Sequence, residues 1–338
     1  MHREPRPIVS AMIFVLGALI VGAALQFTGD AIAPASRRNW TRMKFLPLYA
    51  AEIEVVNAGN SLNRAIDYHQ MGLRGFHLWD GGADLLEASY VLRTITPTLP
   101  KLKAVLVPVN PLSFRTDNTL VGRDAIRRQV YAAMPSLASW RPVRGDAGNL
   151  MRGKLSSIVR EDHWREVFAA AGGSQSERTR RLLSSQVDET GYLLPYVRRS
   201  VGRDSQRIEE LEGFFRELEQ SVRAHPSLPE HIYREFSAVI AGLRARGIRV
   251  ILFSPPYLEV VNQLFARQAT ELTELKASVG RLSREYGVEY LDYSTDADFV
   301  DRPGLFMSED HLNKFGAELF SRKLNELLLA KKRPDIPK

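Results

Sequence analysis

The segment Leu-Lys-Ala-Val-Leu-Val-Pro-Val-Asn at residues 102–110 constrains the fold more than any other part of the chain. It is almost continuously apolar, which is typical of a strand that is buried on both faces. Strands of this kind belong to parallel sheets, whose connections run through helices that cover the sheet. The segment therefore predicts a parallel sheet with helical layers rather than an all-helical or sandwich fold.

Four further strand patterns alternate with helical patterns along the chain. This alternation predicts an α/β fold with a three-layer, doubly wound and mainly parallel sheet joined by right-handed crossovers. Binding sites in such folds lie at the carboxyl ends of the strands. The further strands are predicted at 53–59, 75–82, 248–256 and 288–294, and the helices at 83–95, 231–247, 259–286 and 313–332.

Residues 115–231 interrupt this alternation. The segment is rich in arginine, mostly helical in pattern and too long for a plain loop. We interpret it as a helical insertion that serves as a lid or binds a partner. The alternative is a solvent-exposed helical segment with neither role. The α/β domain is then formed by residues 45–114 and 232–332.

The N-terminal residues 1–30 contain an uncharged apolar segment at 8–28, about as long as a helix needs to cross a bilayer. We expect an uncleaved membrane anchor. A cleavable signal is the alternative, with a small-residue site at 31–33, but Pro34 directly after it disfavours cleavage.

Charges around the apolar segment bear on its orientation. Arg3 and Arg6 favour a cytoplasmic N-terminus, although basic residues on the other side weaken the asymmetry. We expect a single-pass protein of the inner (cytoplasmic) membrane whose globular part is extracytoplasmic, or periplasmic.

Composition excludes some functions. The 338 residues include no cysteine, so disulfides and thiolate metal sites are impossible. The net charge is +7, but the arginines are scattered and form no recognised nucleic-acid motif, so we expect no nucleic-acid partner. The chain has no zinc motif, phosphate loop or dinucleotide glycine pattern, and we expect neither a metal nor a cofactor.

Four strand ends carry residues suited to acyl chemistry. Ser61 lies in a turn that leads into a helix, where a hydroxyl suits a nucleophile, although the same pattern is common in helix caps. Gly82 allows a backbone N–H to approach a ligand, or is simply a turn glycine. Asn110 offers an amide donor. His311 offers a base, or is a polar residue before a helix.

These residues carry a family resemblance. The segments Gly59-Asn60-Ser61-Leu62 and Asp310-His311-Leu312-Asn313, together with Gly82 and Asn110, resemble the four blocks of the SGNH (GDSL-like) hydrolase superfamily. The arrangement also resembles its membrane-anchored extracytoplasmic branch, which includes alginate O-acetylation proteins and the D-alanylation protein of teichoic acids. The resemblance covers roughly residues 50–114 and 232–331.

The resemblance implies a role for each matched residue. Ser61 would be the nucleophile and His311 the general base, since an imidazole has an ordinary pKa near neutrality. The oxyanion hole would comprise the backbone N–H groups of Ser61 and Gly82 and the side chain of Asn110.

Two departures from the family pattern leave alternatives open. The family usually carries an aspartate three residues before the histidine, where this chain has Ser308. Asp310 has to fold back to orient the ring of the adjacent histidine; Glu309, Asp292 or Asp301 are alternatives, or the site works as a dyad. The third block reads Pro-Val-Asn-Pro instead of Gly-x-Asn-Asp, so Asn110 is an inferred equivalent.

Three functions are compatible with these patterns. We expect an extracytoplasmic SGNH-type serine esterase or O-acyltransferase that acts on acylated cell-envelope polysaccharide, or on a small acyl ester, through acylated Ser61. The first alternative is a catalytically inactive accessory protein that binds glycan or a multispan membrane acyltransferase. The second is a membrane-tethered structural protein of the envelope.

Overall fold

A computed structural model describes residues 46–79, 81–134, 146–159 and 206–330, together with residues 17, 42, 43, 142 and 143. In these ranges the chain forms an α/β fold around a five-stranded parallel sheet with the order β2-β1-β3-β4-β5. The five predicted strands are confirmed. They are β1 (Val55–Asn57), β2 (Gly75–His77), β3 (Ala104–Pro108), β4 (Arg249–Ser254) and β5 (Glu289–Asp292).

Alternate residues of the central strands face two separate apolar clusters. In β3, Val105 and Val107 belong to the cluster on one face of the sheet, whereas Ala104 and Leu106 belong to the cluster on the other face. All five residues of β3 are buried. Because side chains alternate along a strand, an apolar run of this length is stable only when both faces are covered.

Helices supply the two outer layers. The helices in the described ranges are α1 (Leu85–Ile95), α2 (Asp124–Ala133), α3 (Ala147–Val159), α4 (Gln206–Ala224), α5 (Leu228–Ala245), α6 (Glu259–Arg267), α7 (Ala269–Tyr286) and α8 (Lys314–Ala330). On one face of the sheet lie α1, α5 and α7, and on the other the C-terminal helix α8.

The prediction of one continuous helix over 259–286 is wrong. The backbone leaves the helical conformation at Gln268, with φ −96° and ψ 60°, and separates α6 from α7. The two helices bury different apolar faces: Phe265 of α6 packs in a small cluster beside α4, whereas Leu275 of α7 packs in the main core. The break at Gln268 thus separates two helices that pack in different clusters.

A short antiparallel hairpin precedes the last helix and was not predicted. It pairs β6 (Phe306–Ser308) with β7 (His311–Leu312) through a turn at residues 309 and 310. Strands this short give no readable alternation in the sequence. The hairpin contains His311, the residue that the sequence predicts as the general base.

Part of the predicted organisation falls beyond the described ranges. Residue 17 apart, the apolar segment 8–28 lies outside them, as does the centre of the predicted insertion at 160–205. None of the helices in the described ranges has the length and apolar character needed to cross a membrane.

The strand order reverses between β1 and β3. From β1 the chain adds β2 on one side, and it then returns to build β3, β4 and β5 on the other. Loops that leave adjacent strands at such a point diverge and open a crevice at the carboxyl edge of the sheet. The loops after β1 and β3 contain Ser61 and Asn110, so this crevice is where the predicted site residues should meet.

Candidate active site

Ser61 is the first residue of a short 3₁₀ helix that follows β1. The preceding Asn60 caps this helix, since its Oδ1 accepts a hydrogen bond from the backbone N–H of Leu62 at 3.0 Å. Gly59 has a φ of +154°, and a Cβ there would lie 3.0 Å from Cδ of Pro108. The tight passage beside β3 therefore requires glycine and fixes the half-buried Ser61 at the carboxyl edge of the sheet.

The hairpin brings His311 directly to this serine. Nε2 of His311 lies 2.6 Å from Oγ of Ser61, and Nδ1 lies 2.7 Å from Oδ1 of Asp310. The imidazole side chain is only 10% exposed. If Nδ1 carries the proton and donates to the carboxylate, Nε2 is free to accept the proton of the serine hydroxyl. This tautomer is the one that a general base requires.

Asp310 is the carboxylate that contacts the ring, and the other three candidates do not replace it. Oδ1 of Asp292 accepts hydrogen bonds from the backbone N–H and hydroxyl of Ser294, and Asp301 is exposed. Glu309 contributes its backbone carbonyl to a hydrogen bond from the N–H of Leu258. Asp310 reaches the adjacent residue because it lies in the turn between β6 and β7, where neighbouring side chains need not point to opposite faces.

Asn110 lies at the end of β3 in a defined orientation. Its Oδ1 accepts hydrogen bonds at 3.1 Å from the backbone N–H of Leu112 and from the hydroxyl of Ser113. Two donors on one side of the amide identify that atom as the oxygen. The NH₂ group is therefore the part of this side chain that can donate to a ligand.

Gly82 is held in a left-handed conformation, with a φ of +75°. Its carbonyl accepts a hydrogen bond from Nδ2 of Asn118 at 2.9 Å, and a Cβ at this position would lie 2.9 Å from Cδ1 of Ile126. A side chain at position 82 is thus opposed by its φ and by its neighbour. Both contacting residues belong to the segment predicted as an insertion, so this part of the chain shapes the candidate site.

A buried ionic cluster supports the same loop, and sequence reasoning missed it. The guanidinium of Arg127 is 1% exposed and makes ion pairs of 2.9 to 3.2 Å with four carboxylates. The capping-box pattern Asp-x-x-Glu at 84–87 was a readable signal for part of it. The four partners are Asp84, Glu87, Asp117 and Asp146.

Burial dominates the electrostatics of this cluster. It raises the pKa of Glu87 from its ordinary value of 4.5 to about 8, assisted by the nearby Asp84 carboxylate and opposed by Arg127. Burial likewise raises the pKa of Asp84. The loop that carries Gly82 is therefore tied to a cluster in which four acids compete for one guanidinium.

A cleft of about 510 Å³ opens beside the chain of hydrogen bonds. The loops contribute Gly82, Asn110 and Asp310 to its lining, and α4 contributes Leu211 and Phe214. Ser61 and His311 line a small neighbouring crevice, which shares Asp310 and Leu62 with the cleft. Ser61 thus lies at the margin of the cleft rather than on its floor, and a helix from the predicted insertion forms one wall.

The candidate site contains no recognisable metal centre in the part of the chain that the structure describes: no group of three or more His, Asp or Glu side chains there has an arrangement that could hold an ion.

No protein-family model matches this sequence, and no curated protein matches it either.

Proposed function

We propose that this protein is a serine ester hydrolase or O-acyltransferase that forms a covalent acyl intermediate on Ser61. The observation that carries the proposal is the continuous chain of hydrogen bonds from Oγ of Ser61 through the ring of His311 to Asp310. A serine hydroxyl is a poor nucleophile until a neighbouring base removes its proton, and this chain supplies an oriented base.

The reaction follows from the roles of the two ring nitrogens. Nε2 of His311 takes the proton of the Ser61 hydroxyl as Oγ attacks the ester carbonyl carbon. The imidazolium that forms is stabilised by the Asp310 carboxylate at Nδ1. When the tetrahedral intermediate collapses, the bond to the leaving oxygen breaks and Nε2 returns the proton to it. Water or another hydroxyl then attacks the carbonyl carbon of acyl-Ser61 while Nε2 of His311 takes its proton. The bond between the acyl carbon and Oγ breaks, and Nε2 returns the proton to Oγ of Ser61.

The negative charge on the intermediate requires donors that are already in place. We assign this role to the backbone N–H groups of Ser61 and Gly82 and to Nδ2 of Asn110. The fixed orientation of the Asn110 amide supports its assignment, as does the position of Gly82 and Asn110 on the same cleft.

The same features support membership of the SGNH superfamily. The strand order 2-1-3-4-5 is flavodoxin-like, and the four residues of the proposed site follow the strand ends at which the SGNH blocks are expected. On the strength of that resemblance we propose acylated cell-envelope polysaccharide as the substrate class. We further propose attachment to the cytoplasmic membrane through residues 8–28, with an extracytoplasmic catalytic domain and a multispan membrane acyltransferase as partner.

The site geometry favours an enzyme over an inactive accessory protein. A protein that only binds glycan or docks onto an acyltransferase has no use for a base oriented on a serine hydroxyl. The contacts on both nitrogens of His311 therefore support catalysis.

Turnover of acyl esters by the full-length chain tests the proposal. We expect hydrolysis of p-nitrophenyl acetate, with kcat lower by at least about 10³-fold in Ser61→Ala and in His311→Ala. Ser294→Ala is the matched control, because the hydroxyl of this serine bonds Asp292 and Ser294 does not line the cleft, so kcat should be unchanged. Equal turnover in wild type and Ser61→Ala would contradict the proposal.

A further inference from the structure

Ser308 contacts both members of the acid–base pair. Its Oγ lies 2.9 Å from Oδ1 of Asp310 and 3.0 Å from Nδ1 of His311. Because Asp310 and His311 are themselves 2.7 Å apart, the three side chains form a closed triangle. A hydroxyl carries one proton, which it donates to the carboxylate, and its lone pairs face the Nδ1–H of the ring.

The backbone explains how this triangle arises. Ser308 and His311 are paired across the β6–β7 hairpin, so their side chains meet on the same face. Hydrogen bonds outside the triangle also stabilise the hairpin. Nδ2 of Asn313 donates to the carbonyls of Gly304 and Phe306, at 2.7 and 3.2 Å. Removal of the Ser308 hydroxyl should therefore disturb the side chains and leave the hairpin in place.

The geometry points to Ser308 as a positioning residue, an inference that rests on the proposed function. Asp310 immediately precedes the histidine that it orients, and a turn residue has several rotamers that point away from its neighbour. The hydroxyl of Ser308 holds Oδ1 toward Nδ1 and thereby fixes the ring with Nε2 directed at Ser61. Ser308 thus acts on the reaction through Asp310 and does not itself touch the substrate.

A double-mutant cycle on p-nitrophenyl acetate turnover tests this role. Loss of a hydrogen bond to a charged group is expected to lower kcat of Ser308→Ala about ten-fold, with KM changed by less than about two-fold. Ser308→Thr keeps the hydroxyl and should restore kcat. In an Asp310→Asn background, Ser308→Ala should lower kcat by less than about two-fold, because the carboxylate that the Ser308 hydroxyl bonds is already replaced. Equal losses in both backgrounds would overturn the inference, because an indirect structural effect is additive.

The Nδ1 proton of His311 provides a readout that needs no turnover. In wild type and Ser308→Thr, we expect a downfield proton resonance that exchanges slowly with water, and in Ser308→Ala faster exchange. Identical exchange in wild type and Ser308→Ala would overturn the role of Ser308. Failure of the proposed function has a different signature, which is equal ester turnover in wild type and Ser61→Ala.

Discussion

Oγ of Ser61 lies 2.6 Å from Nε2 of His311, although 250 positions of sequence separate the two residues. The serine is placed by the turn after β1 and the histidine by the hairpin before α8. Two separately built elements thus converge on one hydrogen bond at the carboxyl edge of the sheet.

Replacement of the Asp310 carboxylate should weaken His311 as a general base. Asp310→Asn keeps the shape of the side chain but removes the charge that stabilises the imidazolium, so we expect kcat to fall about 10²- to 10⁴-fold. Glu309→Gln is the control at the adjacent turn position and should change kcat by less than about two-fold. Comparable losses in both variants would show that general charge near the turn, rather than the Asp310–His311 contact, matters for turnover.

Removal of the Asn110 amide should act on the transition state. We expect Asn110→Ala to lower kcat about 10²- to 10³-fold with little change in KM, because the oxyanion forms only during the reaction. Asn262→Ala serves as control, since Nδ2 of Asn262 donates to the carbonyl of Ser294 instead. Steady-state kinetics would contradict the assignment if Asn110→Ala raised KM and left kcat intact.

Loss of the central guanidinium should destabilise the fold. Arg127→Met leaves the carboxylates of Asp84, Asp117 and Asp146 without their cation, and we expect the free energy of unfolding to fall by about 3–5 kcal/mol. Arg223→Met removes an exposed pair with Glu219 and should cost less than about 1 kcal/mol. Denaturant unfolding measures both. A small and equal loss in the two variants would show that the buried cluster does not stabilise the protein.

Stability should fall as the pH rises through the range set by Glu87. Burial raises the pKa of this carboxyl from 4.5 to about 8, so between these values the folded state holds a proton that the unfolded state has released. The corresponding stabilisation is complete below pH 4.5 and is lost as the pH approaches 8. Between pH 4.5 and 9, the thermal unfolding temperature should decline less steeply in Glu87→Gln than in the wild type. The same slope in both proteins would exclude Glu87 as its source.

The parallel sheet could be predicted from the sequence because its central strands are unusually apolar along their whole length. Residues 102–110 are so uniformly apolar that few environments other than a covered parallel sheet accept them, and 248–256 follow the same rule. The candidate site was readable for a related reason, since Ser61, Gly82 and Asn110 directly follow strands whose carboxyl ends must share one edge.

Other features depend on contacts that no local pattern encodes. The contact between Asp310 and the ring of His311 depends on a turn between strands of three and two residues, which are too short to give a periodic signal. The ionic cluster joins Arg127 to carboxylates up to 43 positions away, and such pairing emerges only when the helices pack. The break at Gln268 likewise depends on where α6 and α7 bury their apolar faces.

We propose that His311 activates Ser61 as a nucleophile, and covalent labelling of Ser61 measures this activation. The full-length chain would be treated with a fluorophosphonate and analysed by peptide mass spectrometry, beside Ser61→Ala and His311→Ala. We predict a single adduct on Ser61 in the wild type, none in Ser61→Ala, and labelling slower by about 10³-fold in His311→Ala. Absence of an adduct on Ser61, or equal labelling rates in wild type and His311→Ala, would contradict the claim.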